Sequence, residues 1–279
     1  MRAGSCYDFC GARNFTMSLL LPVGTLWWRE LVRFYRQRGR LLGALGMPLI
    51  FWIFIGSGIG ASFQPPVSDG GVNYLEYFYP GTMIMIVLFT SIFSSISVIE
   101  DRREGFLLSV LVAPVSRSGV VLGKVLGGAT LAFVQGFLFV AAAPLVGIPL
   151  NPYKILVLAG ILFVTAFSLA ALGFVFAWRS DSTQGFHAVM NVLLFPMWVL
   201  SGAIFPSSGA AAWVGWIMKV NPLTYELAAI RHVLYEPGRA GLGDLPSFSF
   251  SLLMTGLFTL GVFSISFLVV RRRTVRSLG

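Results

Sequence analysis

Few residues of this chain have the types and spacing that chemistry requires, and the most suggestive set is a run of glycines ending in lysine. Gly119, Gly123 and Lys124 resemble a phosphate-binding loop at first sight. A Walker loop needs four residues between its glycines and a Ser or Thr directly after the lysine, and the run meets neither requirement. Because Gly119, Gly123 and Gly127 recur at every fourth position, the pattern favours close packing of membrane helices instead.

The ionisable residues form no recognisable catalytic group. Glu100, Asp101 and Glu104 make one acidic cluster, whereas His187 and His232 stand alone. Metal sites need several ligands together, and proton relays of membrane enzymes need ionisable groups inside the membrane segments. We therefore expect no catalytic, cofactor-binding or metal-binding residues in this chain.

The composition assigns the chain to the membrane. Of 279 residues, 56% are hydrophobic and 11% are charged, and the mean hydropathy is +0.82. An ordinary soluble domain has about 25% charged residues, so this chain could not cover a soluble surface. The apolar content excludes disorder, and two cysteines exclude a disulfide scaffold. The sequence predicts an all-α, polytopic membrane protein.

Six apolar runs are long enough to span a bilayer, which needs about 20 residues of helix. They extend from Leu41 to Phe63, Pro80 to Ile99, Gly119 to Ala143, Ile155 to Trp178, Gly185 to Phe205, and Phe248 to Val270. Most basic residues flank these runs on one side, and only Lys154, Lys219, Arg231 and Arg239 fall on the other. The positive-inside rule then predicts that both termini are cytoplasmic.

The chain divides into four predicted segments: an N-terminal tail (1–25), an amphipathic helix (26–40), a six-span domain (41–270) and a basic tail (271–279). On the amphipathic helix, Arg29, Arg33, Arg36 and Arg40 share one face, which is typical of a helix in the cytoplasmic interface. A basic flank that only orients the first span would show the same residues. Whether Met1 or Met17 is the functional start stays open.

The cytoplasmic connection between the second and third runs contains an apolar piece too short to span the membrane. It follows Glu104 and ends at Pro114. A short helix in this piece would carry an apolar patch of Phe106, Leu107, Val110 and Leu111, which something must cover.

The outer connection before the last run is divided by Asn221-Pro222. Asn is a good helix N-cap and Pro suits the first helical turn, so a short helix is expected to start at Pro222. Two short helices on this side are predicted to be re-entrant or interfacial. Glu226 and Arg231 are five positions apart, beyond the usual pairing distance on a helix, and are expected to face headgroups, water or a second subunit.

Three motifs, in this order, resemble those of the type-2 ABC-transporter permease family, nearest to its daunorubicin-resistance and multidrug exporter members. They are the basic stretch Arg33 to Arg40 before Pro48, the Glu104-Gly105 to Pro114 loop with Gly123-Lys124 after it, and Asn221-Pro222-Leu-Thr-Tyr225 with Arg231.

The resemblance implies a permease half in a bacterial inner membrane. It would pair with a second permease subunit as a homodimer and bind a separate ABC ATPase, present in two copies. It implies a coupling helix at Glu104, Gly105, Phe106, Leu107, Val110, Leu111 and Pro114, and an outer gate at Asn221, Pro222, Tyr225, Glu226 and Arg231. ATP and Mg would be bound by the partner, so the chain itself would not be an enzyme. The cargo would be amphipathic, drug-like, lipid-like or a glycan, and would move outward.

Two other interpretations stay open at this point. A membrane-embedded enzyme of lipid or isoprenoid metabolism would need acidic or His clusters at several cytoplasmic helix ends, and only the Glu100, Asp101, Glu104 cluster is available. A purely structural membrane partner fits the composition but leaves the two short-helix connections without a role. The sequence does not identify the substrate or distinguish a homodimer from a heterodimer.

Overall fold

The computed structural model describes residues 20–59, 73–112, 115–207, 210–235 and 245–276, and these ranges contain helices and no strand. The first and last predicted tails and Pro114 lie wholly or partly outside the described residues. The α-helices, in chain order, are α1 (Leu20–Arg36), α2 (Arg38–Ile59), α3 (Tyr74–Arg103), α4 (Phe106–Val112), α5 (Arg117–Val140), α6 (Pro152–Arg179), α7 (Thr183–Trp198), α8 (Ala212–Val220), α9 (Pro222–Leu234) and α10 (Phe248–Arg276).

Short polar side chains determine where many of these helices begin. Each cap accepts a hydrogen bond from a backbone N–H group of the first turn, which would otherwise lack a partner. The capping residues are Asn73 for α3, Ser116 for α5, Asn151 for α6, Ser182 for α7 and Asn221 for α9. The predicted start of a helix at Pro222 is therefore confirmed.

Five helices of the described chain are long and apolar enough to cross a membrane: α3, α5, α6, α10, and α7 with its continuation to Ala203. The first predicted run forms α2, whose apolar part, Leu42–Gly58, is shorter. The chain is thus an all-helical, multi-pass membrane protein, as its composition predicts.

Helix α3 is the centre of the bundle and packs against α2, α5 and α6. Its buried polar groups find partners on its neighbours. The Tyr79 hydroxyl donates to the Phe139 carbonyl of α5 at 2.7 Å, and Trp198 at the end of α7 donates to the Gly81 carbonyl at 2.8 Å. These bonds link α3 to the other helices where water is absent.

Helix α1 packs on α5 at the glycine repeat. A Cβ atom added at Gly123 would lie 2.9 Å from the Leu26 Cβ, and one at Gly127 would lie 2.6 Å from the Glu30 Cβ. Only glycine permits this approach, which supports the helix-packing interpretation of the repeat. The bounds of α1 differ from the predicted 26–40: the helix begins at Leu20 and ends at Arg36, so Arg40 belongs to α2 and its side chain is not described.

Candidate functional site: an ionic cluster and the α8–α9 helix pair

A buried ionic cluster joins α1, α3 and α5. Glu30, Asp101 and Lys124 are 4%, 0% and 5% exposed. The Lys124 ammonium donates to Glu30 Oε1 at 2.5 Å and also to an oxygen of Asp101, while the Ser97 hydroxyl donates to the other oxygen of Glu30. One ammonium group therefore connects carboxylates from two different helices.

Two arginines of α1 complete the cluster. The Arg29 guanidinium donates to both oxygens of Asp101 at 2.7 Å, and Arg33 donates to Asp101 and, at 2.8 Å, to Glu100. The hydrogen bond to Asp101 holds the pKa of Arg29 above its ordinary value. Each of the two buried acids, Glu30 and Asp101, thus has at least one basic partner, which buried ions require.

The orientation of these arginines differs from the expectation for a helix lying on headgroups. Val23, Leu26, Glu30 and Phe34 form the buried side of α1. Arg29 and Arg33 flank this side and reach α3, whereas Arg36 is exposed. The basic face predicted from the sequence is therefore divided between ion pairs inside the chain and solvent.

Helix α4 is attached to this cluster. It follows Gly105, whose φ of 76° lies in the left-handed region that glycine adopts at low cost. The Arg29 guanidinium lies 3.8 Å from the centre of the Phe106 ring, and Arg33 contacts Glu104 at 3.4 Å. A displacement of α4 would therefore act directly on the arginines that bind Asp101.

The apolar patch predicted on α4 is partly covered by the chain itself. Leu107 is 2% exposed, and Phe106 and Val110 pack partly against the core, so Leu107 is not available to a partner. Ser109 is exposed. The side chain of Leu111 and all of Pro114 lie outside the described residues.

An open cavity of ≈ 510 Å³ lies beside the cluster, between α1 and the end of α3 at Glu104. Besides Arg29 and Arg33, its lining includes Trp28, Val32, Arg36, Gln37 and Glu104. Trp28 and Arg36 are exposed, so the cavity presents both an aromatic ring and a cation.

The helix pair α8 and α9, which the sequence predicts on the outer side, is held at the end of α7. Asn221, between the two helices, accepts from the Leu223 N–H at 3.1 Å and donates to the Met197 carbonyl at 2.6 Å. Tyr225 is half-buried, and its hydroxyl donates to the Lys219 carbonyl at 2.6 Å. One Asn side chain thus starts α9 and holds it on α7.

The chain after α7 departs from α-helical geometry at Gly202, whose φ is 89°. The freed Gly202 carbonyl accepts from Arg231 at 2.9 Å and from the Tyr77 hydroxyl at 3.1 Å. The Arg231 guanidinium also lies 4.3 Å from the centre of the Tyr77 ring. This contact joins α9, α3 and the end of α7.

The expectation that Glu226 and Arg231 face headgroups, water or another subunit is wrong. Glu226 is 0% and Arg231 3% exposed within this chain. Glu226 contacts Ser168 of α6, and Arg231 is held at Gly202. Each partner lies on a helix distant in sequence, which single-sequence spacing could not reveal.

The sequence analysis also missed Glu30 as a site residue. One signal was present: Glu30 is the single acid of a basic helix, and Lys124 is a single cation inside a predicted span. A lone charge in an apolar segment calls for a partner, but the partner's position depends on how α1 docks.

Comparison with known proteins agrees with this architecture. The profile of the ABC-2 type transporter family matches residues 22–235. The chain is 30% identical over 243 residues to the transport permease ycf38 of Cyanophora paradoxa, covering 85% of this chain and 78% of that protein.

Two further relatives have more specific names. The daunorubicin resistance ABC transporter permease protein DrrB1 of Streptomyces coeruleorubidus is 23% identical over 227 residues, covering 78% of this chain and 76% of the relative. Nodulation protein J of Rhizobium leguminosarum bv. trifolii is 25% identical over 222 residues, covering 77% and 83%. The helical architecture defines a multi-pass membrane protein. The chain belongs to the ABC-2 type transporter family, whose members include transport permeases.

Proposed function

We propose that this chain is the permease subunit of an ATP-driven exporter, and that a separate ATPase binds it at α4. The observation that carries the proposal is the attachment of α4 to the buried cluster through Arg29, Phe106 and Arg33. A partner that moved α4 would exert force on the ion pairs that join α1, α3 and α5. This arrangement suits the transfer of work from a cytoplasmic motor to membrane helices.

The finer features of the proposal follow the family. The chain would form six spans, with α2 as the first, and would pair with a second permease subunit as a homodimer in a bacterial inner membrane. Each permease would bind one ATPase, which holds ATP and Mg. The described helices support both ends in the cytoplasm, because α4, Arg102 and Arg103 then share a side with Arg179 and Arg271.

The cargo class is proposed from the relatives. The name of the Streptomyces relative refers to daunorubicin resistance, which supports an amphipathic, drug-like molecule moved outward. The proposal also includes lipid-like and glycan cargoes, because the names of the other relatives do not refer to drug resistance.

Substitution at Ser109 tests the ATPase contact. Ser109 is exposed on α4, so Ser109→Arg adds bulk and charge to the docking surface without entering the core. Gln184→Arg, at the exposed start of α7, makes a matched change on the same predicted side. We expect the tagged Ser109→Arg chain to purify with at least tenfold less ATPase activity than the parent. A tenfold loss corresponds to about 1.4 kcal/mol of free energy of ATPase binding. The Gln184→Arg chain should retain the activity. Equal activity with both variants would remove α4 as the docking helix.

A further inference from the structure

Glu226 is a buried acidic residue. It lies on α9 and is 0% exposed. Among the described residues, no ion pair includes Glu226, and its Oε2 atom has no hydrogen-bond partner. An ionised carboxylate in such surroundings would keep a full charge without solvent or counter-ion, at a high cost in free energy.

The ionisable groups on the elements around α9 are engaged elsewhere or lie at helix ends. Helix α9 packs against α3, α6, α8, α10 and the turn after α7. Arg231 binds Gly202, Lys154 donates to the Leu234 carbonyl at 3.3 Å, and Lys219 lies over Trp216. The other ionisable groups on these helices are Tyr74, Glu76, Tyr77, Tyr79, Glu100, Asp101, Arg102, Arg103, Tyr153, Arg179, Tyr225, His232 and Arg271, with further arginines at the end of α10.

The two short contacts of the Ser168 hydroxyl favour a proton on Glu226. The Ser168 Oγ atom lies 2.8 Å from the Thr165 carbonyl oxygen and 2.7 Å from Glu226 Oε1. A serine hydroxyl has one proton, whereas a carbonyl oxygen can only accept. Both contacts become full two-centre hydrogen bonds when Ser168 donates to Thr165 and accepts a proton donated by Glu226, whereas an ionised Glu226 would have to share the one hydroxyl proton with the Thr165 carbonyl.

We infer that Glu226 is a proton-binding site: as a neutral carboxylic acid it donates to Ser168 and holds α9 on α6. Loss of this proton would place a negative charge in an apolar contact. The cost of that buried charge would weaken the packing of the helix pair α8–α9 on the bundle. The outer helices are therefore proton-linked, being held most firmly in acid and released as the pH rises. The inference concerns the protonation of this chain alone and does not depend on the transport function.

Infrared spectroscopy of the purified full-length chain in lipid nanodiscs tests the assignment. At about pH 7, where an exposed glutamate is ionised, the parent should show the carbonyl band of a protonated carboxylic acid. Glu226→Gln keeps the shape of the side chain and should lose this band. Asp181→Asn removes a carboxylate from a side chain that is 90% exposed, and this variant should retain the band. Identical carboxylic-acid bands in the parent and Glu226→Gln would overturn the inference, because Glu226 would then be ionised.

A second variant keeps the test decisive if Glu226→Gln does not fold. Ser168→Ala removes the acceptor, so the parent band should shift in frequency while its area is conserved. An unshifted band would contradict the Glu226–Ser168 hydrogen bond. Heat stability adds an independent readout: between about pH 6 and about pH 9, where exposed glutamate stays ionised, the parent should lose stability. Glu226→Gln should lose less, and an equal loss in both chains would contradict the proton link.

Discussion

Lys124 shows how a cation is accommodated within an apolar helix. Its ammonium group is buried, and it contacts carboxylates of Glu30 and Asp101. These ion pairs do not make the folded chain more stable than apolar residues at the same positions would, because removing ions from water costs free energy. Their effect is that removing any one partner leaves the others uncompensated.

Substitution of Lys124 therefore has a defined expected cost. Lys124→Met should destabilise the chain by about 3–5 kcal/mol, the range for breaking a buried ion pair. Thermal and denaturant unfolding in detergent, followed by circular dichroism, measures the change. Lys219→Met, on the exposed surface of α8, is the matched control and should change stability little.

The double variant Glu30→Gln, Lys124→Met distinguishes pairing from simple loss of packing. Because both charges are removed together, it should lose less stability than the two single variants added together. Additive losses, or a Lys124→Met chain as stable as Lys219→Met, would contradict the ionic cluster.

At the scale of elements, the docking of α1 depends on the glycines of α5. A Leu at position 127 would place its Cβ 2.6 Å from the Glu30 Cβ, so α1 would have to move away. Gly160 on α6 has no atom within 4 Å of an added Cβ and gives a control for Gly127→Leu.

Thiol labelling measures the predicted displacement of α1. In a chain with Cys6→Ser and Cys10→Ser, a cysteine replacing the buried Leu26 should react slowly in the parent. We expect faster reaction with Gly127→Leu and no change with Gly160→Leu. Equal labelling rates in all three chains would show that α1 does not rely on the glycine contact.

Local sequence signals predicted where some helices begin better than they predicted which residues those helices contact. Asn221-Pro222 located the start of α9, since an N-cap and a first-turn proline act within one turn. The break at Gln37 between α1 and α2 has no comparable signal, because the residues on both sides are similarly basic. The burial of Glu226 and Arg231 depends on α3, α6 and the turn at Gly202, and spacing along α9 carries no information about these helices.

At the scale of the whole molecule, the apolar runs and basic flanks predict the orientation of the chain. Asn151 and Asp181 are exposed at opposite ends of α6. In the cysteine-free background, Asn151→Cys should react with a membrane-impermeant reagent in intact cells. Asp181→Cys should react only after permeabilisation, because Arg179 keeps that end of α6 inside. Labelling of Asp181→Cys from outside would reverse the topology.

The proposed role of the molecule rests on contact between α4 and an ATPase, and site-specific photo-crosslinking measures that contact most directly. A photoreactive residue at position 109 samples the exposed side of α4, and one at position 184 samples the start of α7. In cells, we predict that position 109 forms an adduct with a protein that binds and hydrolyses ATP, at a yield at least tenfold above that of position 184. Adducts of equal yield at both positions, or a position-109 adduct with a protein that does not bind ATP, would contradict the account.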